Sequence, residues 1–265
     1  MATMTSGRIL VTGATGFIGV EVARQLADGG ARLRLMIHRP HRAQYVSDYS
    51  GDIVIADLRD EASLVRAVAG VDAVIHLAGR ATFESYALVQ PTIVAGTESL
   101  ARAAAAAGVT RFVFASSTTV YDGAGGPADE HTPPHPWSGY GRAKLDAERA
   151  LAAVAATGPL AMGILRLPHV YGARDAMFAM VRRGLLVSPG RGDVPFSHLH
   201  VEDAARALIR AAHVAWQGTS PVADDRPASW REFIALIRAN VPSLRELRVP
   251  ATLARAGAAL TATLA

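Results

Sequence analysis

The chain has 265 residues, 50% of them hydrophobic, which is enough for one large domain with a small appended lobe. It contains no cysteine, which excludes disulfides, thiolate metal ligands and a thiolate nucleophile and is typical of a reducing compartment. The net charge is +4, but the arginines are scattered singly or in pairs, so a nucleic-acid partner is not expected. The short polar stretch Met1–Arg8 leaves no room for a signal peptide, and no apolar run approaches the ~18 residues that span a bilayer. We therefore expect a cytoplasmic protein without a membrane partner.

Short β-branched runs alternate with helical patterns from Arg8 to about Arg166. The predicted strands are Ile9–Thr12, Leu33–Ile37, Ile53–Ala56, Ala73–Leu77, Phe112–Ala115 and Met162–Arg166, and the predicted helices are Gly16–Ala27, Glu61–Ala69, Leu88–Ala107 and Tyr140–Ala156. Because apolar residues are continuous within each strand, we expect burial on both faces of a parallel sheet. The alternation predicts an α/β fold, a Rossmann-type doubly wound parallel sheet that binds its ligand outside the carboxyl ends of the strands.

The regular alternation ends after Arg166. Pro/Gly-rich stretches follow, interrupted by helical patterns near Val201–Ala215 and Ser229–Asn240, and the chain stops in the alanine-rich, helical stretch Ala251–Ala265. We expect residues 1–166 to form the sheet domain, with 194–223 completing the sheet. Residues 167–193 and 224–265 would form a small C-terminal substrate-binding lobe.

A glycine-rich turn follows the first predicted strand, with the sequence Thr12-Gly13-Ala14-Thr15-Gly16-Phe17-Ile18-Gly19. Missing side chains let the backbone approach a pyrophosphate, whose charge then meets free N–H groups at the positive end of the helix. The spacing differs from the dinucleotide fingerprint G-x-G-x-x-G, and a tight strand-to-helix connection is the alternative.

Of the 27 basic residues, 26 are arginine and one is lysine, Lys144, which follows Tyr140 by four residues. Arginine cannot replace lysine where a compact ammonium must fit a tight site, so the lone lysine is a candidate functional residue. The spacing puts both side chains on one face of a helix. An ammonium beside a phenol favours the phenolate and lowers the phenol pKa, which suits proton transfer to a developing alkoxide. Ordinary helix surface is the alternative.

The glycine turn resembles the cofactor loop of the extended short-chain dehydrogenase/reductase superfamily, which holds nucleotide-sugar epimerases and dehydratases, dihydroflavonol reductases and 3β-hydroxysteroid dehydrogenases. Other segments resemble the superfamily in the same order: Asp57-Leu58, His76–Gly79, Ser116–Tyr121, Tyr140–Lys144, Leu165–Gly172 and Phe196–Ala207. The resemblance covers about Arg8 to Ala212. It implies an NAD(P)-dependent oxidoreductase whose cofactor binds to the 1–166 domain.

The resemblance also implies residue roles. Ser117, Tyr140 and Lys144 take the catalytic places: the serine would stabilise the charge on the substrate oxygen, the tyrosine would exchange the proton, and the lysine would also hold the nicotinamide ribose. No metal ligand is implied. The cofactor-binding positions are Gly13, Thr15, Gly16, Phe17, Ile18, Gly19, His38, Arg39, Asp57, Leu58, Leu77, Ala78, Gly79, Tyr140, Lys144, Pro168 and Val170.

One position departs from the superfamily pattern. An asparagine usually stands three residues before the Gly-Thr of the fourth helix, and here Ile93 takes that place before Gly96-Thr97. An apolar side chain cannot make the asparagine's hydrogen bonds. This puts the superfamily's proton relay in doubt and keeps a slow or inactive enzyme open as an alternative.

The end of the second strand bears on the choice of cofactor. An acidic residue there suits the ribose of NAD, whereas an arginine suits the 2′-phosphate of NADP. The strand runs into His38-Arg39-Pro40-His41-Arg42 without an acid, so we expect NADP(H), with NAD(H) as the alternative. Arg39 is the first candidate for the phosphate contact and Arg42 the second, and a solvated basic loop would look the same.

Two further patterns have alternative interpretations. His198, His200 and Glu202 alternate as metal ligands on one strand face could, but the stretch resembles the superfamily's strand-to-helix junction. The alanine-rich helix Tyr140–Ala156 could pack against a second copy in a homodimer, although a helix face directed to the core would look the same.

The sequence thus predicts reduction of a carbonyl, or oxidation of a secondary alcohol, on a small or medium organic substrate, with NADP(H) as hydride carrier. A nucleotide-sugar epimerase or dehydratase with retained NAD is one alternative. The other is a sensor that binds NADP without turnover, which Ile93 keeps open.

Overall fold

The computed structural model describes residues 7–79, 84–122 and 128–250, so the predicted helix Ala251–Ala265 lies outside the described residues. The strands are β1 (Arg8–Thr12), β2 (Arg32–Ile37), β3 (Gly51–Ile55), β4 (Ala73–His76), β5 (Arg111–Ser117), β6 (Ala161–Leu167), β7 (His169–Tyr171), β8 (Leu185–Pro189), β9 (Pro195–Phe196), β10 (His198–His200), β11 (Gly218–Pro221), β12 (Ala228–Ser229) and β13 (Arg245–Val249). The α-helices are α1 (Phe17–Asp28), α2 (Glu61–Val68), α3 (Tyr86–Gln90), α4 (Gly96–Ala106), α5 (Gly139–Ala155), α6 (Ala176–Arg182), α7 (Val201–His213) and α8 (Trp230–Asn240).

Seven parallel strands form the main sheet, in the order β11-β6-β5-β4-β1-β2-β3. This confirms the predicted Rossmann-type α/β fold. The strand order reverses between β1 and β4, and a doubly wound sheet binds its ligand in the crevice at that point. Two segments border the crevice: the glycine turn that follows Thr12, and the segment that follows His76.

Strand burial follows position in the sheet. Strand β4 is buried along its whole length, as expected for a strand with neighbours on both sides and helices on both faces. The prediction of burial on both faces is wrong for β3, where Ile53 and Ile55 are 43% and 54% exposed. The reason is that β3 is the edge strand and pairs only with β2.

The fourth predicted helix, Leu88–Ala107, is interrupted in the structure. Helix α3 passes into a π-helical segment, Pro91–Ala95, before α4 begins. Proline has no N–H to donate and its ring crowds the preceding turn, so Pro91 accounts for the wider turn.

No helix in the described ranges is both long and apolar enough to cross a membrane.

The chain divides into two compact units. The larger holds the described residues of Met1–Leu167 and of Glu202–Val222, and the smaller holds those of Pro168–Val201 and of Ala223–Ala265. Within 194–223, only β11 joins the main sheet, whereas β9 and β10 pair with β12 and β7 in the smaller unit. The core of the larger unit includes Leu10, Val74, Leu100, Phe112 and Leu151, and that of the smaller includes Leu186, Phe233, Ile234, Ile237 and Leu244.

Candidate active site

The glycine turn leaves the start of α1 with free backbone donors. Gly16 is the N-cap residue and has no side chain to accept from the first turn, which also contains no acidic residue. By contrast, Asp60 caps α2 and Ser138 caps α5 with side-chain hydrogen bonds. The first N–H groups of α1 therefore remain available to an anion such as a pyrophosphate.

The turn is also too tight for side chains. A Cβ on Gly19 would lie 2.1 Å from the carbonyl oxygen of Gly13, and one on Gly13 would lie 2.8 Å from the amide nitrogen of Ala78. Gly13 adopts φ +66°, which glycine tolerates best. The turn thus packs directly on the segment after β4, and the cradle fits a dinucleotide that approaches the backbone closely.

A buried hydrogen-bond chain fixes the ends of β1 and β4 beside this cradle. The Thr12 hydroxyl accepts from the N–H groups of Leu77 and Ala78, each at 3.1 Å, so its own proton goes to Nδ1 of His76 at 2.7 Å. Nε2 of His76 then carries the ring proton and donates to Thr97 at 2.9 Å. Burial lowers the pKa of His76 to about 3, and the Lys144 charge acts in the same direction, so the ring is neutral.

The two serines at the end of β5 have different surroundings because neighbouring residues of a strand point to opposite faces. Ser116 is buried, and its Oγ lies 2.5 Å from the Glu148 carboxylate. Ser117 is half-buried, and its Oγ accepts a 3.2 Å hydrogen bond from the Thr119 N–H. Ser117 therefore keeps its hydroxyl proton for another acceptor.

Tyr140 stands at the start of α5 between two glycines that allow close backbone contact. A Cβ on Gly139 would lie 2.6 Å from the Tyr86 nitrogen, and one on Gly141 would lie 2.6 Å from the Thr119 oxygen. The second contact brings the Tyr140 turn against the segment that follows Ser117. Burial raises the pKa of Tyr140 to about 12, in contrast to the lowered phenol pKa expected from the sequence.

The Lys144 side chain is held by β5. Its ammonium donates to the Ala115 carbonyl of β5 at 2.7 Å and lies 4.5 Å from the centre of the Phe114 ring, but 5.8 Å from the centre of the Tyr140 ring. The side chain is buried, and burial lowers its pKa to about 8. The structure therefore brings Tyr140 and Lys144 onto one face of α5, with the ammonium directed at β5.

The segments after β2 and β3 form a charged cluster. Arg59 donates two side-chain hydrogen bonds to Asp57, of 2.8 and 3.2 Å, and a third from its backbone N–H at 2.9 Å, and these lower the pKa of the carboxyl to about 2. His38 lies 3.7 Å from the same carboxylate, while Arg39 is exposed at the start of the 3-10 turn Pro40–Tyr45. Arg59 was not among the predicted site residues, although its position two residues after Asp57 was a usable signal.

The remaining predicted positions fall in several places. Ile93 is 1% exposed, and a Cβ on Gly79 would lie 3.5 Å from it, so the apolar departure stands beside the predicted cofactor segment. Leu58 is buried against Gly96. Pro168 and Val170 lie in the smaller unit, between β6 and β7 and within β7 respectively.

The alternating histidines are engaged with other groups. His198 uses one ring nitrogen on the Ala228 carbonyl at 3.1 Å and the other on Nδ1 of His169 at 3.0 Å. Within the described residues, no group of three or more His, Asp or Glu side chains could hold a metal ion.

A phosphate cradle at the switch point of a parallel sheet, beside a strand that presents a serine and a helix that presents a tyrosine and a lysine, defines an NAD(P)-dependent enzyme of the oxidoreductase type. The chain belongs to the NAD dependent epimerase/dehydratase family, whose sequence model matches residues 9–221.

Characterised relatives and solved structures resemble most of the chain. It is 30% identical to a ceramide reductase of Caulobacter vibrioides, over 88% of this chain and 70% of that protein. It is also 30% identical to a 3-diazoavenalumate denitrifying reductase of a Streptomyces species, over 93% of this chain and 86% of that protein. The structure of MoeE5 in complex with UDP-glucose and NAD is 31% identical, with a TM-score of 0.82 over 92% of this chain and 86% of that one.

Proposed function

We propose that the protein is an NADP(H)-linked reductase of a carbonyl group on a small or medium organic substrate, or a dehydrogenase of the corresponding secondary alcohol, with Ser117, Tyr140 and Lys144 as its catalytic residues. The observation that carries this proposal is the burial of the chain's lone lysine on the Tyr140 face of α5, against the strand that ends in Ser117. A buried ammonium costs solvation free energy, so ordinary helix surface does not explain it.

The bound nicotinamide would supply the hydride. In the reductive direction, the C=O π bond breaks as the new C–H bond forms, and the developing alkoxide accepts the proton of Tyr140. With its pKa near 12, Tyr140 holds that proton throughout the neutral range and is ready to donate it. Ser117 would donate a hydrogen bond to the same oxygen, and Lys144 would stabilise the phenolate that remains.

The residues suited to hold the cofactor are those of the glycine turn, which present uncapped N–H groups to the pyrophosphate. The segments after β3 and β4, at Asp57–Leu58 and Leu77–Gly79, would border the adenosine and the nicotinamide side. Pro168 and Val170 stay predictions for contacts with the nicotinamide ring.

The homodimer through the helix Tyr140–Ala156 also stays a prediction. Helix α5 packs its Ala143, Ala147 and Leu151 into the core of the larger unit.

Two relatives support the reductase class. The Caulobacter and Streptomyces proteins are both named as reductases, and each is similar to more than four-fifths of this chain. The substrates in their names belong to those proteins. What we infer for this chain is the shared reaction, hydride transfer to an organic acceptor.

The test is NADPH oxidation, followed by absorbance, against a panel of ketones, aldehydes, and flavanone-like and steroid-like carbonyls. We expect at least one compound to be reduced with turnover that depends on Tyr140. If no compound is reduced, and if Ile93→Asn does not reveal activity, the reductase proposal fails and the sensor without turnover gains support from the apolar residue beside Gly79.

A second candidate is favoured by the MoeE5 structure, which contains UDP-glucose and NAD. A nucleotide-sugar epimerase or dehydratase uses the same side chains but retains its cofactor through the catalytic cycle. The ligand content of the purified protein separates the two candidates, because retained NAD would point to the epimerase class. A site that is empty after purification and is filled by added NADPH would point to the reductase.

The preference for NADP(H) rests on Arg39, and we expect NADPH to bind about tenfold more tightly than NADH. Arg39→Ala should remove most of that difference while leaving NADH affinity within about twofold, because only the contact to the 2′-phosphate is lost. Titration by cofactor fluorescence measures both constants, and Arg66→Ala, at the last turn of α2, is the control for loss of one arginine charge. Equal affinities in the parent protein would favour NAD.

A further inference from the structure

A buried ion pair lies one helical turn from Lys144. Glu148 and Arg166 are 5% and 6% exposed, and the guanidinium donates two hydrogen bonds to the carboxylate, of 2.6 Å from Nη2 and 3.0 Å from Nε. Burying two opposite charges costs solvation that their attraction offsets only with good geometry, so such a pair is weak evidence for a stabilising role. Its place in the structure indicates another role.

The pair connects the segments that carry the three proposed catalytic residues. Glu148 accepts from Ser116, the neighbour of Ser117, and Arg166 donates to the Tyr121 hydroxyl at 2.5 Å. That hydroxyl in turn donates to the Asp129 carbonyl at 2.9 Å. The network thus ties α5 to the end of β5, to β6 and to the chain that leads into Ser138.

Within the described part of the chain, the charge that acts on the Lys144 pKa is that of Glu148. Residues four apart share a helix face, so Tyr140, Lys144 and Glu148 form one row along α5. From β4 the neighbouring group is the neutral His76 ring, and from β5 it is the Ala115 carbonyl with the Phe114 ring. From β6, Arg166 donates to the Glu148 carboxylate. Burial lowers the pKa of Lys144, and the Glu148 charge opposes that decrease.

We propose that Glu148 is a positioning residue that keeps Lys144 protonated, and that Arg166 fixes the carboxylate in the orientation this requires. The catalytic consequence rests on the proposed function, since it requires that Lys144 acts on Tyr140. The electrostatic effect on Lys144 does not depend on it.

The lone lysine makes a direct test possible. Protein labelled with ¹³C at the lysine ε-carbon has one lysine side chain, Lys144, so its NMR titration reports the Lys144 pKa without assignment by mutation. In Glu148→Gln the carboxylate is lost and the Arg166 charge is left unbalanced, so we expect the Lys144 pKa to fall by at least about 1. In Glu148→Gln/Arg166→Gln both charges are lost together, and the pKa should lie between those of the parent and the single variant.

Asp146→Asn is the matched control. It removes a carboxylate that forms an ion pair with an arginine, Arg149, on the same helix. The side chains of Asp146 and Arg149 are 34% and 69% exposed. Asp146 does not face Lys144, because residues two apart on a helix point in different directions. The Lys144 pKa should stay the same in this variant. Thermal melting shows whether each variant is folded. If Glu148→Gln does not fold, the Lys144 pKa of the double variant is the test of the proposal. An unchanged Lys144 pKa in the folded variant or variants overturns the proposal.

A second readout separates positioning from a structural role. If an accepted substrate is found, the decrease in rate at high pH should begin at a lower pH in Glu148→Gln than in the parent protein, because the Lys144 pKa is lower. A structural role alone would lower the rate by the same factor at every pH, and this result would also contradict the proposal. A pKa change without turnover on any substrate would refute only the proposed function.

Discussion

Replacing Tyr140 with phenylalanine is expected to slow hydride transfer by about 10²–10⁴-fold, because the substitution removes the proton donor for the alkoxide and leaves the ring in place. The affinity for NADPH should stay within about twofold, since the glycine turn and the ends of β1 and β4 are untouched. Single-turnover oxidation of bound NADPH, with a saturating substrate from the panel, measures the first quantity. Fluorescence titration measures the second.

Tyr86→Phe is the control for loss of a phenol hydroxyl near α5. Tyr86 donates to Asp146 at 2.9 Å, and its ring packs on the same core as Tyr140. Its loss removes one ordinary hydrogen bond that involves none of the proposed catalytic residues, so turnover should change by less than about threefold. If Tyr140→Phe were as active as Tyr86→Phe, Tyr140 would not be the proton donor.

Lys144→Arg should lower turnover by about 100-fold although it preserves the charge. The ammonium fits between the Ala115 carbonyl and the Phe114 ring in a site that leaves 7% of the residue exposed. A wide planar guanidinium cannot take that place without moving the first turns of α5, and a displacement of about 1 Å at a reacting group costs on the order of 10²-fold in rate. Steady-state NADPH oxidation at pH 7 is the measurement.

Arg149→Lys, the reverse exchange on the exposed side of the same helix, is the matched control and should leave turnover within about twofold. Parent-like activity in Lys144→Arg would show that any cation suffices there and would remove the Tyr140–Lys144 pair from the mechanism. If thermal melting shows that Lys144→Arg does not fold, Lys144→Met replaces it in the test. Methionine keeps the length and apolar stem of the side chain, so this variant should be folded but inactive.

Local patterns predicted the elements that carry the site. The mostly apolar runs placed the six predicted strands of the larger sheet to within about two residues, because parallel strands in the interior of a sheet are rich in apolar residues. The glycine spacing predicted a turn before α1 whose backbone a pyrophosphate can approach closely. The Tyr-x-x-x-Lys spacing predicted that Tyr140 and Lys144 share a helix face. Each of these signals lies within about ten residues of chain, where backbone geometry alone relates one side chain to the next.

Other features depended on neighbours that no local pattern reveals. Exposure of Ile53 and Ile55 follows from the edge position of β3, which the order of strands decides. The π-helical segment follows from Pro91, which the apolar periodicity of Leu88–Ala107 concealed. The raised pKa of Tyr140 follows from burial. The contact of the Lys144 ammonium with a carbonyl of β5, 29 residues away in sequence, likewise follows from the packing of α5 on the sheet.

The sequence by itself therefore determined the class of fold, and it led to the proposals of a phosphate-binding glycine turn and of Tyr140 and Lys144 as a catalytic pair, since these depend on local spacing and on residue type. Only the tertiary structure decided the polar interior around them. Thr12 of β1 meets His76 of β4 across 64 residues because the strand order reverses between these two strands. Glu148 of α5 meets Arg166 of β6 across 18 residues because the helix packs on that strand. The partners of a buried polar group are set by sheet order and helix packing, so the charges that act on Lys144 became visible only in the folded chain.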